Sequence, residues 1–152
     1  MSKEVIVSAL LVITAVVAVS IFATTMIPTI GKIANTYSSL TTNLNEKIST
    51  DIEIIFVKAN SSGVTFWVKN VGLYRIPKSF LNLSDVFIIS NATMHHYTLS
   101  NLNYVIENGD NDEYWEYGET LKVEANITLD KGNYILMFVL YNGIKDTETF
   151  SI

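Results

Sequence analysis

Hydrophobic and polar positions along this chain follow three successive patterns, and the first is an unbroken apolar block. Residues 5–27 carry no charged side chain. As a helix rising about 1.5 Å per residue, the block would be about 35 Å long, against about 30 Å for the hydrocarbon core of a bilayer. A helix that is apolar on every face over this length is typical of a membrane span. We therefore predict a transmembrane helix over residues 1–28, represented by Val5, Leu10, Val17, Ile21 and Ile27.

A removable secretory signal is the alternative interpretation of this block, and it would leave a secreted soluble domain. Before the block, Lys3 stands directly beside Glu4, so the positive region is weak. The block also exceeds the usual length of about 7–15 residues for the apolar part of a signal, and residues 23–25 match a cleavage site poorly. We therefore expect an uncleaved membrane anchor.

The second pattern begins after Pro28, which is expected to end or kink the apolar block because proline lacks a backbone N–H. Apolar residues then recur at steps of three and four, the spacing of a heptad repeat, and predict that helix resumes to about residue 49. The polar residues between them are weak helix formers, so this segment needs a packing partner. Residues 29–50 are predicted to form an amphipathic stem that packs on its own domain or self-associates. Its apolar positions are Ile30, Ile33, Tyr37, Leu40 and Leu44.

The third pattern, from residue 51 onward, alternates with period two and is rich in β-branched and aromatic residues. Seven strands separated by turn signals predict an immunoglobulin-like β-sandwich over residues 51–152. The fold class is therefore α+β, a long N-terminal transmembrane, pilin-like α-helix followed by an all-β sandwich. The predicted strands are Asp51–Lys58, Val64–Asn70, Val86–Ser90, His96–Leu99, Thr120–Ile127, Asn133–Tyr141 and Lys145–Ser151. The predicted inner-face residues are Phe66, Val68, Val123, Ala125, Ile127, Ile135, Met137 and Val139, with Trp67 on the opposite face.

The charge and composition of the chain limit the kinds of partner that it can bind. The net charge is −5 and lysines and arginines form no cluster, which argues against nucleic acid and anionic membrane surfaces as partners. The chain has no cysteine, so no disulfide stabilises the sandwich. Four Asn-X-Ser/Thr motifs favour a location of the C-terminal domain outside the cytoplasmic membrane, which the chain would cross once. These possible glycosylation sites are Asn60, Asn82, Asn91 and Asn126.

The densest polar feature is the acidic segment 107–119, which has six carboxylates and no basic residue. It is open to three interpretations: a solvated loop, a calcium site without EF-hand spacing, or a docking surface for a basic partner. In the last case Tyr114, Trp115 and Tyr117 would be the aromatic anchors, together with Trp67 elsewhere. His95 and His96 are adjacent in a predicted strand and point to opposite faces, so they cannot share a metal. No catalytic motif is present, and we expect neither enzyme activity nor a cofactor or small-molecule substrate.

Several segments resemble the archaellum accessory proteins F and G, an archaellin-like group. The resemblance lies in the N-terminal apolar helix, VTFWVKNVG at 64–72, SDVFII at 84–89, and residues 115–143. It implies a stator or scaffold between the cytoplasmic membrane and the S-layer, with an S-layer protein, an archaellum accessory partner and further copies of itself as partners. The heptad stem favours the G type. The alternative is a filament-forming archaellin- or pilin-like subunit, but residues 1–4 lack the basic pair at which such subunits are processed.

Overall fold

The computed structural model describes residues 2–152, so Met1, the first residue of the predicted membrane span, lies outside the described residues. Residues up to Leu44 and residues Asn45–Ile152 form two compact units. Helix α1 runs from Ser2 to Ser49 without interruption. It is long and apolar enough to cross a membrane by length and composition. The prediction that helix resumes after Pro28 and reaches about residue 49 is therefore confirmed.

Pro28 was expected to end or kink the apolar block, and the structure excludes the first of these, because α1 continues through this residue. Proline removes one helical hydrogen bond, and a helix with regular turns on both sides can tolerate that loss. Hydroxyl side chains in the apolar block bond back to the preceding turn. Thr14 Oγ1 donates to the Leu10 carbonyl at 2.7 Å, and Ser20 Oγ donates to the Val16 carbonyl at 2.8 Å. These hydroxyl groups are therefore satisfied within the helix, as an apolar environment requires.

Residues 45–152 form a sandwich of two antiparallel four-stranded sheets, with a two-stranded ribbon beside them. The first sheet has the order β1-β2-β8-β6, the second β10-β9-β4-β5, and the ribbon joins β3 to β7. The strands are β1 (Ile52–Asn60), β2 (Gly63–Asn70), β3 (Ile76–Pro77), β4 (Asp85–Ile89), β5 (Met94–Thr98), β6 (Asn103–Ile106), β7 (Tyr114–Trp115), β8 (Thr120–Ala125), β9 (Asn133–Val139) and β10 (Lys145–Ser151). A one-turn helix α2 (Lys78–Leu81) follows β3, and a 3₁₀ turn (Leu99–Asn101) precedes β6.

All seven predicted strands are present within a few residues of their expected bounds, and the α+β class with an immunoglobulin-like sandwich is confirmed. Strands β3, β6 and β7 were not predicted, because they are short and lie in segments rich in polar residues. The core between the sheets contains Phe66, Val68, Val123, Leu136 and Phe138, all fully buried.

The predicted inner face of β9 is wrong by one residue. Tyr134, Leu136 and Phe138 are buried, whereas Ile135 is 45% exposed. Met137 and Val139 are only partly buried. The segment 134–141 is apolar at every position, so hydrophobicity alone does not distinguish its two faces. Pairing with β4 and β10 decides which face points to the core.

Candidate protein-docking surfaces

The outer face of the first sheet carries a row of side chains that crosses all four strands. The row consists of Phe56, Trp67, Lys122 and Val105, each the cross-strand partner of the next. A register shift between Ile54 and Phe56 marks a bulge in β1. Because two successive residues at the bulge face solvent, Ile55 and Phe56 are 48% and 57% exposed. This edge strand therefore presents apolar surface outward.

Trp67 is held in the centre of this row, which we call the Trp67 face. Its ring lies 5.4 Å from the Phe56 ring, and the Lys122 ammonium lies 5.8 Å from the indole centroid. Its Nε1 donates to Glu107 Oε2 at 2.9 Å. The expected position of Trp67, on the strand face opposite Phe66 and Val68, is confirmed by their complete burial. The tryptophan is thus held in place from three sides while part of its ring stays accessible.

Charged groups surround the aromatic centre of the Trp67 face. Lys122 Nζ lies 2.9 Å from Glu124 Oε1 and 3.9 Å from Glu107 Oε1. The hydrogen bond to Glu124 and the nearby carboxylates raise the pKa of Lys122 above its ordinary value. Beside this network lies a depression of about 420 Å³ that Lys58, Asn60 and Asn126 also line. A half-exposed aromatic centre with a charged rim is the usual composition of a protein interface.

The acidic segment is a folded loop in which most of the carboxylates have a hydrogen-bond or ion-pair partner. Asp110 Oδ1 accepts from the backbone N–H of Asp112 at 3.0 Å, and Glu119 Oε2 accepts from that of Glu116 at 2.8 Å. Arg75 bridges Asp112 at 3.0 Å and also pairs with Glu116. Among the described residues 2–152, no three His, Cys, Asp or Glu side chains are placed to hold a metal ion. The geometry thus fits the interpretation of a structured, solvated loop.

Trp115, predicted as an aromatic anchor of this loop, is fully buried and cannot contact a partner. Its Nε1 donates to the Glu119 carbonyl at 3.1 Å, so the loop encloses the indole and satisfies its polar atom. Tyr114 is 38% exposed beneath the Arg75 guanidinium, whose carbon lies 4.5 Å from the ring centroid. Tyr117 is 67% exposed. The prediction that Trp115 is a surface anchor, like Trp67, Tyr114 and Tyr117, is therefore wrong. Trp115 is a core residue.

The two histidines lie in β5 and face opposite sides of the second sheet, as predicted. His95 pairs with the buried Ile88, and His96 pairs with Phe87. The His96 ring stacks on Phe87 at 4.7 Å, and its Nε2 lies 2.8 Å from Asp85 Oδ1. These two contacts explain the position of the His96 side chain on the exposed face of the second sheet.

The last turn of α1 is joined to the sandwich by polar contacts that sequence patterns did not reveal. Tyr141 Oη donates to Glu46 Oε1 at 2.5 Å, and Asn142 Nδ2 donates to Thr50 Oγ1 at 3.2 Å. Burial and the hydrogen bond to the Glu46 carboxylate raise the pKa of the Tyr141 hydroxyl above its ordinary value. These partners stand more than 90 positions apart in the chain, which is why no local motif marks them.

A buried amide completes this junction on the other side. The Asn70 Nδ2 donates to the carbonyls of Tyr74 and Trp115 at 3.1 and 3.0 Å, and its Oδ1 accepts from the Gly72 N–H at 3.0 Å. Tyr74 in turn donates its N–H to the Ser49 carbonyl at 3.0 Å. The end of the helix, the turn after β2 and the ribbon strand β7 therefore share one hydrogen-bond network.

The remaining predicted site residues lie on exposed surface. The membrane-helix positions Val5, Leu10, Val17, Ile21 and Ile27 are 51–67% exposed in α1. The stem positions Ile30, Ile33, Tyr37, Leu40 and Leu44 are 54–73% exposed. The four motif asparagines, Asn60, Asn82, Asn91 and Asn126, are exposed as well. The membrane-helix positions are therefore accessible to lipid, the stem positions to a second copy of the chain, and the asparagines to a modifying enzyme.

A single long apolar helix that continues into an immunoglobulin-like sandwich places the chain in the pilin-like class of proteins. The model of the family described as archaeal-type flagellin matches residues 2–150, and the chain belongs to this family. The resemblance inferred from the sequence segments is thereby confirmed. A protein of Archaeoglobus fulgidus described as "Uncharacterized protein" is 45% identical over 162 residues, covering 99% of both chains.

Two solved structures share the fold of this chain. The first is the archaellum periplasmic stator protein FlaG from Sulfolobus acidocaldarius, with a TM-score of 0.52 and 20% identity over 66% of this chain and 99% of that one. The second is the archaellum periplasmic stator protein complex FlaF and FlaG from the same organism, with a TM-score of 0.50 and 18% identity. It covers 65% of this chain and 87% of that one. Family and fold together support a structural component of the archaellum.

Proposed function

We propose that this chain is a membrane-anchored stator or scaffold of the archaellum motor, which links the cytoplasmic membrane to the S-layer. The observation that carries the proposal is the junction between the helix and the sandwich. Glu46 and Thr50 at the end of α1 are bonded to Tyr141 and Asn142. A stator must pass force to its binding domain through the helix that anchors it, and these hydrogen bonds fix the last turn of that helix to the sandwich. The fold shared with archaellum stator proteins supports the same role.

The first requirement of this function is that the apolar block of α1 inserts in the cytoplasmic membrane, with the sandwich outside. The block carries no charge, and its hydroxyl groups bond within the helix. The second requirement is that the chain self-associates through the stem. Its apolar positions recur at heptad spacing and are more than half exposed, so a bundle of stems would bury them. The third requirement is that an S-layer protein or an archaellum accessory partner binds at the Trp67 face.

The alternative function is that of a filament-forming archaellin- or pilin-like subunit, which membership of the archaeal-type flagellin family supports. In that case the apolar helices would pack against one another in the filament core rather than against lipid. The two functions differ in processing, because a filament subunit should begin at its apolar helix. The N-terminal residue of the protein isolated from its own cells therefore discriminates between them.

Polar replacement of the stem positions Ile33, Leu40 and Leu44 by glutamine is expected to abolish self-association. Each substitution removes an apolar side chain from the predicted bundle interface and would leave a polar group there. We expect oligomers or filaments of the wild-type full-length protein in negative-stain electron microscopy, and monomers of the triple variant. The N-terminal residue is determined on the same samples.

The matched control for the stem is the triple replacement of Thr36, Ser39 and Asn43 by glutamine, which changes the same helix outside the apolar stripe. It should assemble like the wild type. Assembly of the stem variant at wild-type levels would contradict the heptad interface. A wild-type protein that is monomeric under all conditions would also contradict it and favour an S-layer anchor that acts as a single copy.

Truncation of Trp67 to alanine is expected to weaken binding of a purified S-layer protein at least tenfold at a temperature where thermal unfolding shows that the variant is still folded. A central aromatic residue with a charged rim is the usual hot spot of an interface, where truncation costs about 2 kcal/mol or more. Binding is measured with the full-length protein in detergent micelles. The comparison variant is Tyr117→Ala, in the acidic loop. Loss of binding in this variant but not in Trp67→Ala would place the interface on the acidic loop instead.

A further inference from the structure

Three of the four Asn-X-Ser/Thr motifs lie at one end of the sandwich. Asn60 ends β1 and Asn126 follows β8, and the pairing of Val64 with Ala125 brings these two ends together. The turn between β4 and β5 contains Asn91. Asn91 and Asn133 line a common depression, which places this turn beside the start of β9.

Strand directions show that this end is the one farthest from the helix junction. Strands β1 and β10 start near the contact between Thr50 and Asn142, and both run toward the end that carries the motifs. There the Leu129 N–H donates to the Ser61 carbonyl at 3.2 Å, and the Gly132 N–H donates to the Ile152 carbonyl at 3.3 Å. The loops of both sheets are therefore tied together at this distal end.

At each of the three distal motifs the hydroxyl residue is exposed together with the asparagine. These residues are Ser62, Thr93 and Thr128. At the first motif, Asn60 Oδ1 accepts from the Ser62 N–H at 2.9 Å and from the Ser62 hydroxyl at 2.8 Å. This turn uses the oxygen of the amide, and the side chain that carries the Nδ2 is exposed. A modifying enzyme can therefore reach both residues that define the motif in the folded domain.

The fourth motif is built differently. Its hydroxyl residue, Ser84, is fully buried. Asn82 ends the short helix α2 in a helical backbone conformation, and its Oδ1 accepts from the Tyr104 hydroxyl at 2.8 Å. The folded domain thus exposes the asparagine but hides the serine, so the motif is not presented as a unit.

We propose that Asn60, Asn91 and Asn126 carry N-linked glycans that cap the distal end of the sandwich, and that Asn82 stays unmodified. The inference rests on the external location in the proposed function, since a sugar donor and its transferase act at the membrane surface. The donor is a sugar chain linked through phosphate to a lipid. The Asn Nδ2 attacks the anomeric carbon and gives up one proton to a base. The carbon–oxygen bond to the phosphate breaks, and the lipid phosphate leaves with the electron pair.

The glycans would add a strongly hydrated layer at the end of the sandwich opposite the junction formed by Glu46 and Thr50. Both Asn60 and Asn126 also line the depression next to Trp67. Sugar chains at these two positions would border the Trp67 face on one side and leave the row from Phe56 to Val105 open. The proposed cap therefore restricts the direction from which a partner approaches, without covering the aromatic centre.

The test is site occupancy by peptide mass spectrometry of the full-length protein isolated from the archaeal cells that make it. We expect a sugar mass on Asn60, Asn91 and Asn126 and none on Asn82. The triple variant Ser62→Ala, Thr93→Ala and Thr128→Ala keeps all four asparagines and should lose the whole added mass. The matched variant Ser84→Ala should lose none. An unmodified Asn60, Asn91 or Asn126 in the wild type, or a modified Asn82, would overturn the inference.

A second measurement on the same cells separates this inference from the proposed function. Lys131 is exposed in the distal loop between β8 and β9, and a membrane-impermeant amine reagent labels it only if the sandwich is outside. Labelling without sugar at the three sites would overturn the glycan cap and leave the stator proposal intact. Protection of Lys131 in intact cells, followed by labelling after lysis, would overturn both.

Discussion

Replacement of Trp115 by alanine is expected to lower the free energy of unfolding of the sandwich by about 3–5 kcal/mol, the usual cost of truncating a buried aromatic residue to alanine. The indole is fully buried, and its Nε1 bonds to the Glu119 carbonyl at 3.1 Å. The variant leaves a large cavity and also an acceptor without its donor. A loss of this size is a large part of the stability of a typical domain, so the variant should be mostly unfolded at elevated temperature.

The loss is measured by urea unfolding of the full-length protein in detergent micelles, followed by fluorescence. Trp67 is then the single tryptophan of the variant and reports on the sandwich, since the chain has two. The control is Tyr117→Ala, whose side chain is 67% exposed in the same loop and should change stability by no more than about 0.5 kcal/mol. Equal stability of the two variants would contradict the assignment of Trp115 to the core.

Replacement of Gly72 by alanine is expected to destabilise the junction by roughly 3 kcal/mol or more, the upper range for overpacking. A Cβ at this position would collide with the Asp51 backbone nitrogen and lie 2.6 Å from the Ser49 carbonyl oxygen. Backbone atoms cannot rotate away as side chains do. The Gly72 N–H also donates to the Asp51 carbonyl at 2.9 Å, so movement of the turn breaks hydrogen bonds.

Gly132 supplies the matched control, because a Cβ there would lie 3.8 Å from its nearest neighbour, a ring carbon of Tyr134. Gly132→Ala should therefore be tolerated. Both variants are compared by thermal unfolding, and hydrogen exchange of residues 45–52 reports on the junction. We expect faster exchange in Gly72→Ala alone. Unchanged exchange at the junction in Gly72→Ala would show that the turn after β2 does not hold the end of the helix.

Local sequence patterns were sufficient to predict the structure of those segments in which one hydrophobic period dominates. The uncharged block 5–27 predicted a helix, and the heptad spacing after Pro28 predicted helix to about residue 49, where α1 ends at Ser49. Alternation in β2 predicted correctly that Phe66 and Val68 point inward and Trp67 outward. In β9 the same method failed, because an uninterrupted apolar run has no polar residue to mark the solvent face.

The sequence by itself determined the class of each element, because helix and strand periods depend on residues close together in the chain. Only the tertiary structure decided which residues became core, surface and junction. Trp115 and Trp67 are the same residue type, yet pairing of β7 with β3 buries one, and the outer face of β2 exposes the other. The contacts of Glu46 with Tyr141 and of Asn70 with Trp115 join segments far apart in the chain, and no local pattern encodes such distances.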